Sequence, residues 1–150
     1  MLLRAKHKAE DMGTLNNSIT YGQGNLAGFV GEEIAHSVLG GTIVNTYDYD
    51  IVLDNGKTVD VKTKRTTVEP KSTYDCSVAA YNIKQNCDYY AFVRVYENMS
   101  IGWLLGLYPK DEYFKHARLW KKGEVDPSNG FTVKADCYNM AIYNLQDKIE

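Results

Sequence analysis

The sequence has few cysteines and no long apolar run, and each shortage excludes a class of protein. The three cysteines, Cys76, Cys87 and Cys137, lie far apart and form no CxxC pair. Neither His36 nor His116 stands at zinc-ligand spacing from them, so we expect no structural zinc. No apolar run approaches the roughly 18 residues of a membrane span, so we expect no membrane partner.

The first residues do not predict a signal peptide, and the composition is not basic. The start, Met1-Leu2-Leu3, meets three bases by position 8, which is unlike a signal peptide. Sparse, odd cysteines fit a reducing compartment, so the sequence predicts a cytoplasmic protein. Lysine and arginine number 17 against 19 acids, a net charge of −2, and no overall basic footprint points to nucleic acid.

Hydrophobic spacing and turn residues predict a single α/β domain over residues 1–150. Its predicted helices cover 2–12, Leu26–Leu39, Pro109–Lys121 and 138–145, the last capped by Asp136. Its predicted strands cover Thr42–Asn45, Tyr49–Leu53, Lys57–Lys64, Tyr89–Tyr96, Ile101–Tyr108 and Phe131–Lys134, while 77–86 is ambiguous. This order favours a central mixed β-sheet flanked by helices. Residues 1–25, with the N-terminal helix and the Gly13–Asn25 loop, would form an extension to it.

The stretch from Tyr47 to Lys64 predicts a β-hairpin whose register depends on its turn. A two-residue Asn55-Gly56 loop would place Asp50 opposite Val61 and mix acids with aliphatics on both faces. A three-residue Asp54-Asn55-Gly56 loop places Asp50 opposite Asp60 instead. We favour the three-residue loop because it gives one apolar face that can be buried. Its polar face then holds Asp48, Asp50, Val52, Thr58, Asp60, Lys62 and Lys64.

Two directly opposed carboxylates repel unless something neutralises them. Their Cβ atoms would lie about 4.5–5.5 Å apart, and a hard divalent cation such as Mg²⁺ or Mn²⁺ would relieve the repulsion. Lys62, two residues beyond Asp60 on the same face, could then orient water or neutralise charge on a phosphate oxygen. The alternative is an ordinary solvated strand face on which Lys62 and Lys64 offset the acids.

These residues resemble a known pattern. Asp50, followed ten residues later by Asp60-Val61-Lys62 and preceded by a helix carrying Glu32, resembles the PD-(D/E)xK nuclease superfamily. The segment Gly28-Phe29-Val30-Gly31-Glu32-Glu33 is similar to the helix start of small phage and archaeal members, Holliday-junction resolvases among them. The resemblance covers about residues 26–64, and Tyr49 stands where the family's proline would be.

The resemblance implies a restriction-endonuclease-like core and a Mg²⁺ or Mn²⁺ site. Asp50, Asp60 and Glu32 would be catalytic metal ligands, with Glu32 acting directly or through water. The Val61 carbonyl would be a further ligand, and Lys62 would be the catalytic lysine. Two acids remain as alternatives, Glu33 because it adjoins Glu32 and Asp48 because it shares the face of Asp50.

Local charge supplies a nucleic-acid surface that the net charge hides. Residues 57–71 carry five bases against two acids, a net of +3. We expect Lys64, Arg65 and Lys71 to contact nucleic acid, together with Gln85, which lies where some superfamily members place a glutamine.

The sequence therefore predicts a metal-dependent DNA endonuclease, in the host cytoplasm if a phage encodes it. The alternative is a nuclease-fold DNA-binding or structural protein without turnover. A junction-resolving activity would imply a homodimer, for which the strands at 89–96 and 101–108 are the candidate interface.

Overall fold

The computed structural model describes residues 5–8 and 23–147, and side chains from residue 26 onward. The regular elements, in chain order, are β1 Ala5–Lys8, α1 Gln23–Leu39, β2 Thr42–Ile43, β3 Ile51–Val52, β4 Thr58–Thr66, β5 Asp75–Ala79, β6 Tyr89–Tyr96, β7 Ile101–Pro109, α2 Lys110–His116, β8 Arg118–Trp120 and β9 Cys137–Ala141. Short 3₁₀ helices at Ala80–Lys84 and Ile142–Asn144 complete them.

The central sheet has six strands in the order β1-β7-β6-β4-β3-β2. Strands β4 and β6 run parallel, while the other neighbours run antiparallel. A second, antiparallel sheet has the order β5-β9-β8. The predicted mixed α/β class with a mixed central sheet is confirmed.

Strand β6 divides the apolar interior into two layers. Its residues Tyr89, Ala91, Val93 and Val95 face α1, and Tyr90 and Phe92 face α2 and the second sheet. This alternation follows from the two-residue period of a strand, and burial on both faces explains its aromatic and β-branched composition.

Helix α1 lies tightly against β4. A Cβ atom on Gly31 would overlap the Thr63 side chain, so only glycine permits this approach. The helix ends as predicted, with Gly40 at φ +76° and its N–H donating to the His36 carbonyl at 2.8 Å. Glycine at position 31 thus places the following residue, Glu32, close to the sheet.

The predicted N-terminal helix is wrong where the structure describes it. Ala5–Lys8 forms β1, which pairs with β7, because the open edge of that strand supplies partners that sequence periodicity cannot reveal. The rest of 2–12 lies outside the described residues, as does 13–22 of the predicted loop. Residues 23–25, also predicted as loop, belong to α1.

The predicted helices in the last third are also wrong in part. The helix after Pro109 ends at His116, not near Lys121, and the chain continues as β8. Cys137–Ala141 is a strand, because pairing with β5 and β8 outweighs the helical spacing. The predicted strand at 131–134 is reduced to an isolated bridge between Val125 and Thr132.

The strands proposed as a dimer interface cannot serve as one. Strand β6 is central, and β7 pairs with β6 on one side and β1 on the other. Seven of the eight residues of β6 are buried, and only Tyr96 is partly exposed. The prediction is wrong because both strands are interior.

Candidate active site

The hairpin between β3 and β4 adopts the register of the three-residue loop. Ile51 pairs with Val59 and Val52 with Thr58, which confirms that prediction. The Leu53 N–H donates to the Lys57 carbonyl at 2.9 Å, and Gly56 has φ +85°. A left-handed glycine after a type I-like turn is the geometry expected of such a loop.

Asp50 and Asp60 meet where β3 begins. The Asp50 Oδ2 accepts a hydrogen bond from the Val61 N–H at 2.8 Å. This carboxylate therefore takes the place of a backbone carbonyl as the acceptor for β4. The hairpin register places the two residues opposite each other, and the charge of Asp60 acts on the Asp50 carboxyl. Asp60 is buried, with 5% of its surface exposed.

Burial, and after it the charge of Asp60, together raise the pKa of the Asp50 carboxyl to about 7. The Val61 N–H and the Lys62 ammonium oppose the rise. The Asp50 carboxyl therefore keeps its proton to a higher pH than an exposed aspartate does.

Lys62 is held between the acid pair and the segment that follows β5. Its Nζ lies 2.8 Å from the Asp60 Oδ2 and donates to the Gln85 Oε1 at 3.0 Å. It also lies 5.3 Å from the centre of the Tyr90 ring. A lysine with three such partners has a defined position.

The loop before β3 is tied to the segment that carries Gln85. Gln85 is 5% exposed and donates from Nε2 to the Tyr47 carbonyl at 3.0 Å. The Asp48 Oδ1 accepts a hydrogen bond from the Asn86 N–H at 3.0 Å. Asp48 therefore anchors this loop, and its carboxylate is committed to the backbone of Asn86.

Helix α1 brings Glu32 to the acid pair. Burial and then, in decreasing order, the charges of Asp50, Asp60 and Glu33 together raise the pKa of Glu32 to about 7. Of the two adjacent glutamates, Glu32 is the one on which the acid pair acts. The site thus combines three carboxyl groups and one ammonium from α1, the β3 entry and β4.

These oxygens suit a hard cation in chemistry but do not form a ready cage. Within 5–8 and 23–147, no three Asp, Glu, His or Cys side chains are grouped closely enough to hold an ion. The raised pKa values of Asp50 and Glu32 nevertheless mark a cluster short of positive charge, which a divalent ion would relieve. The Val61 carbonyl points to the same side as its N–H, toward Asp50.

Only some of the residues predicted to contact nucleic acid lie near Asp50 and Asp60. Gln85 adjoins Lys62, and Lys64 follows Lys62 on the same face of β4. Arg65 lies on the other face and donates to the Glu97 carbonyl at 3.1 Å. Lys71 is exposed in the loop after β4, and no contact found in the described chain joins it or Arg65 to the acid pair.

Sequence reasoning missed two residues that shape this region. Tyr90 lies under the Lys62 ammonium, and Arg94 is a buried cation on the neighbouring strand. Both residues lie on the same face of the predicted strand at 89–96. The sequence near this strand does not reveal that it pairs in parallel with β4, and that pairing is what places the two residues here.

Comparison with known proteins assigns no family to the chain. No protein-family model matches it, and no curated protein is significantly similar to it. None of the helices in the described ranges has the length and apolar character needed to cross a membrane. The functional assignment therefore depends on the geometry of the site.

Proposed function

We propose that the protein is a metal-dependent DNA endonuclease with a restriction-endonuclease-like core. The observation that carries the proposal is that Asp50 and Asp60 lie opposite each other in the hairpin register, with the Lys62 ammonium 2.8 Å from Asp60. Paired carboxylates beside a lysine, on adjacent strands, are suited to hydrolysis of a phosphodiester.

Asp50, Asp60, Glu32 and the Val61 carbonyl would hold Mg²⁺ or Mn²⁺. When bound, the ion supplies Lewis-acid activation of water and neutralises charge on the phosphate. The four groups are all oxygen donors, which is the preference of both metals.

The protein's own groups orient the reaction. Gln85 and the Tyr90 ring keep the Lys62 ammonium at the site independently of Asp60. Lys62 can therefore donate hydrogen bonds to the attacking water or to a non-bridging phosphate oxygen. Asp48 supports Lys62 indirectly, since it holds the backbone at Asn86, next to Gln85.

DNA is the proposed substrate, and Lys64 extends the cationic side of the site along β4. Action on branched or junction DNA, with a homodimer of paired sites, is the more specific form of the proposal. Any such dimer must use a surface other than β6 and β7, because these strands are interior.

A second function is favoured by one observation. Lys62 already neutralises Asp60, and the described residues hold no compact three-ligand group. Both features suit a nuclease-fold protein that binds DNA or serves a structural role without turnover.

Strand cleavage in the presence of different metals separates the two functions. Supercoiled, linear and four-way-junction DNA are incubated with Mg²⁺, Mn²⁺ or EDTA, using wild type, Asp60→Asn and Lys62→Met. Asp54→Asn and Lys57→Met are matched controls, because both residues are exposed in the hairpin turn. We expect metal-dependent nicking by wild type and both controls, and a loss of about 100-fold or more in the site variants.

Equal inactivity of wild type and all variants, with equal DNA binding, would establish the binding protein instead. Cleavage that persists in EDTA would exclude the metal-dependent mechanism. The preferred DNA shape follows from the ratio of junction to linear cleavage.

A further inference from the structure

A cleft separate from the acid pair opens between β4, β6 and the second sheet. Its volume is about 790 Å³, within the range of small-molecule sites. The residues that matter here are Lys64, Arg94, Tyr74, Trp120, Phe131 and Asn139, all of which line it.

The strongest feature of the cleft is a buried cation that forms no ion pair among the described residues, although the charge of Asp75 acts on it at longer range. Arg94 is 8% exposed and donates one hydrogen bond, from Nη2 to the Asp75 carbonyl at 2.8 Å. Its guanidinium also lies 5.3 Å from the centre of the Tyr74 ring. No ion pair joins Arg94 to any carboxylate in the described chain. Buried charges are normally paired, so this arginine indicates an anionic ligand.

A second cation stands directly beside the first. Lys64 and Arg94 are register partners on the parallel strands β4 and β6, which places their backbones about 4.8 Å apart. Partial desolvation lowers the pKa of the otherwise exposed Lys64 side chain, and the charge of Arg94 lowers it further, while the charge of Asp75 raises it. Like charges on neighbouring strands repel, and a phosphate between them would remove the repulsion.

The acids of the cleft do not neutralise this pair. Asp126 accepts hydrogen bonds from the Ser128 N–H and hydroxyl. Asp136 pairs with Lys121 at 3.5 Å and accepts from the Lys122 N–H. Burial raises the pKa of the remaining acid, Asp75, and the charge of Asp126 raises it further, while the charges of Lys64, Arg94 and Arg118 lower it. Asp75 therefore acts on Lys64 and Arg94 at longer range, and no carboxylate of the described residues forms an ion pair with either cation.

The rest of the cleft suits a planar heterocycle. Phe131 is 53% exposed at its rim and offers a ring face, while Trp120 lines it with one face covered by the Arg118 guanidinium at 3.7 Å. The Asn139 Oδ1 is buried without a hydrogen-bond partner. A side-chain amide reads the edge of a nucleobase, and aromatic rings stack on its face.

We propose that this cleft binds one nucleotide, with its phosphate between Lys64 and Arg94 and its base against Phe131 within reach of Asn139. The nucleotide has two sources, an unpaired residue of a DNA strand and a free nucleoside monophosphate. The strand source rests on the proposed function. It is favoured by a small cavity of about 50 Å³, because Lys62 of the candidate active site lines it together with Lys64 and Arg94 of the cleft.

Calorimetric titration without metal tests the cleft. Wild type in EDTA is titrated with the four deoxynucleoside monophosphates, inorganic phosphate and a short single-stranded oligonucleotide. The variants are Lys64→Gln, Arg94→Met and Phe131→Ala. Lys115→Gln is the matched control, because this lysine is exposed on α2 outside the cleft. Lys64 and Phe131 are exposed, so their variants keep the test informative if Arg94→Met fails to fold.

We expect saturable binding that weakens about tenfold in Lys64→Gln and Arg94→Met and remains unchanged in Lys115→Gln. Phe131→Ala should weaken nucleotides but not inorganic phosphate, since only a base stacks on the ring. Equal binding of monophosphate and oligonucleotide identifies the free nucleotide, and a clear preference for the oligonucleotide identifies the strand. No saturable binding of any ligand, or equal binding by all variants, overturns the proposal.

The same measurements distinguish this proposal from the endonuclease. Nucleotide binding that depends on Lys64, without cleavage under any metal, supports the cleft and refutes the nuclease. Metal-dependent cleavage with nucleotide binding indifferent to all three variants refutes the cleft and leaves the nuclease intact.

Discussion

The Gln85 side chain accepts a hydrogen bond from the Lys62 ammonium, with 3.0 Å between Oε1 and Nζ, across 23 positions of sequence. The other end of the amide donates to the Tyr47 carbonyl at 3.0 Å. A single buried glutamine therefore fixes the candidate catalytic lysine against the loop that leads to Asp50. The amide defines where the ammonium lies even if Asp60 turns away to a cation.

Substitution of Gln85 tests this positioning role. In Gln85→Leu we expect the single-turnover cleavage rate to fall about 10- to 100-fold while DNA affinity changes little, because the lysine stays charged but loses its position. Asn86→Ala is the control, since its backbone N–H to Asp48 remains. An equal loss of affinity and rate would mean that Gln85 contacts DNA itself.

Stability of the metal-free protein should fall as the pH rises. The folded-state pKa values of Asp50 and Glu32, each about 7, lie above their ordinary values of 3.8 and 4.5. The folded state therefore binds more protons between about pH 4 and 7, so the free energy of unfolding declines across this window. Urea unfolding in EDTA at pH 5 and pH 8 measures the decline.

The variant Asp50→Asn should remove much of this dependence. An asparagine keeps an acceptor for the Val61 N–H and carries no charge. We expect it to stabilise the metal-free protein at pH 8 by about 1–2 kcal/mol, allowing for the solvent screening of a half-buried group. Greater wild-type stability at pH 8 than at pH 5 would contradict the raised pKa values of Asp50 and Glu32.

The adjacent glutamates of α1 form a matched pair for assigning the third acid. We expect Glu32→Gln to lower metal-dependent cleavage about 10- to 100-fold and to raise the Mg²⁺ concentration needed for half-maximal rate. Glu33→Gln should remain within about twofold of wild type, which is the effect of changing a helix acid that does not contact the reacting groups. The reverse order would assign the role to Glu33.

The glycines of α1 provide a test of how the helix is placed. In Gly31→Ala the added methyl meets the Thr63 side chain, so we expect a loss of about 1–3 kcal/mol in the free energy of unfolding. A methyl group added at Gly28 would meet no atom within 4 Å, and Gly28→Ala should stabilise the helix by about 0.5–1 kcal/mol. Thermal and urea unfolding compare the two. Equal stability of both variants would show that α1 can move away from β4.

The local pattern of apolar, polar and turn residues is enough to predict several elements of the fold. The hairpin register at Asp50 and Asp60 follows from the demand that Ile51, Leu53 and Val59 face one side. The strand at Tyr89–Tyr96 has the bounds that the sequence predicts, because aromatic and β-branched residues fill both of its faces. The α1 cap follows from Gly40 and Gly41.

The secondary-structure predictions are wrong for segments whose conformation depends on pairing with strands that are distant in the sequence. Ala5–Lys8 is polar and carries no strand period, yet the edge of β7 pairs with it. Tyr138, Ala141, Ile142 and Leu145 have helical spacing, but β5 and β8 bind Cys137–Ala141 as a strand between them. The cleft around Arg94 depends on parallel pairing and on the second sheet, and neither has a signal in a short window of sequence.

The parallel pairing of β4 with β6 also orders the assembly of the molecule. The hairpin that joins Asp50 to Asp60 closes through a three-residue turn, whereas β4 and β6 meet only after the intervening segment, residues 67–88, has closed as a loop. Short closures cost less entropy and occur sooner than long ones. The two acids should therefore come together early in folding, with Gln85, Tyr90 and Arg94 arriving later.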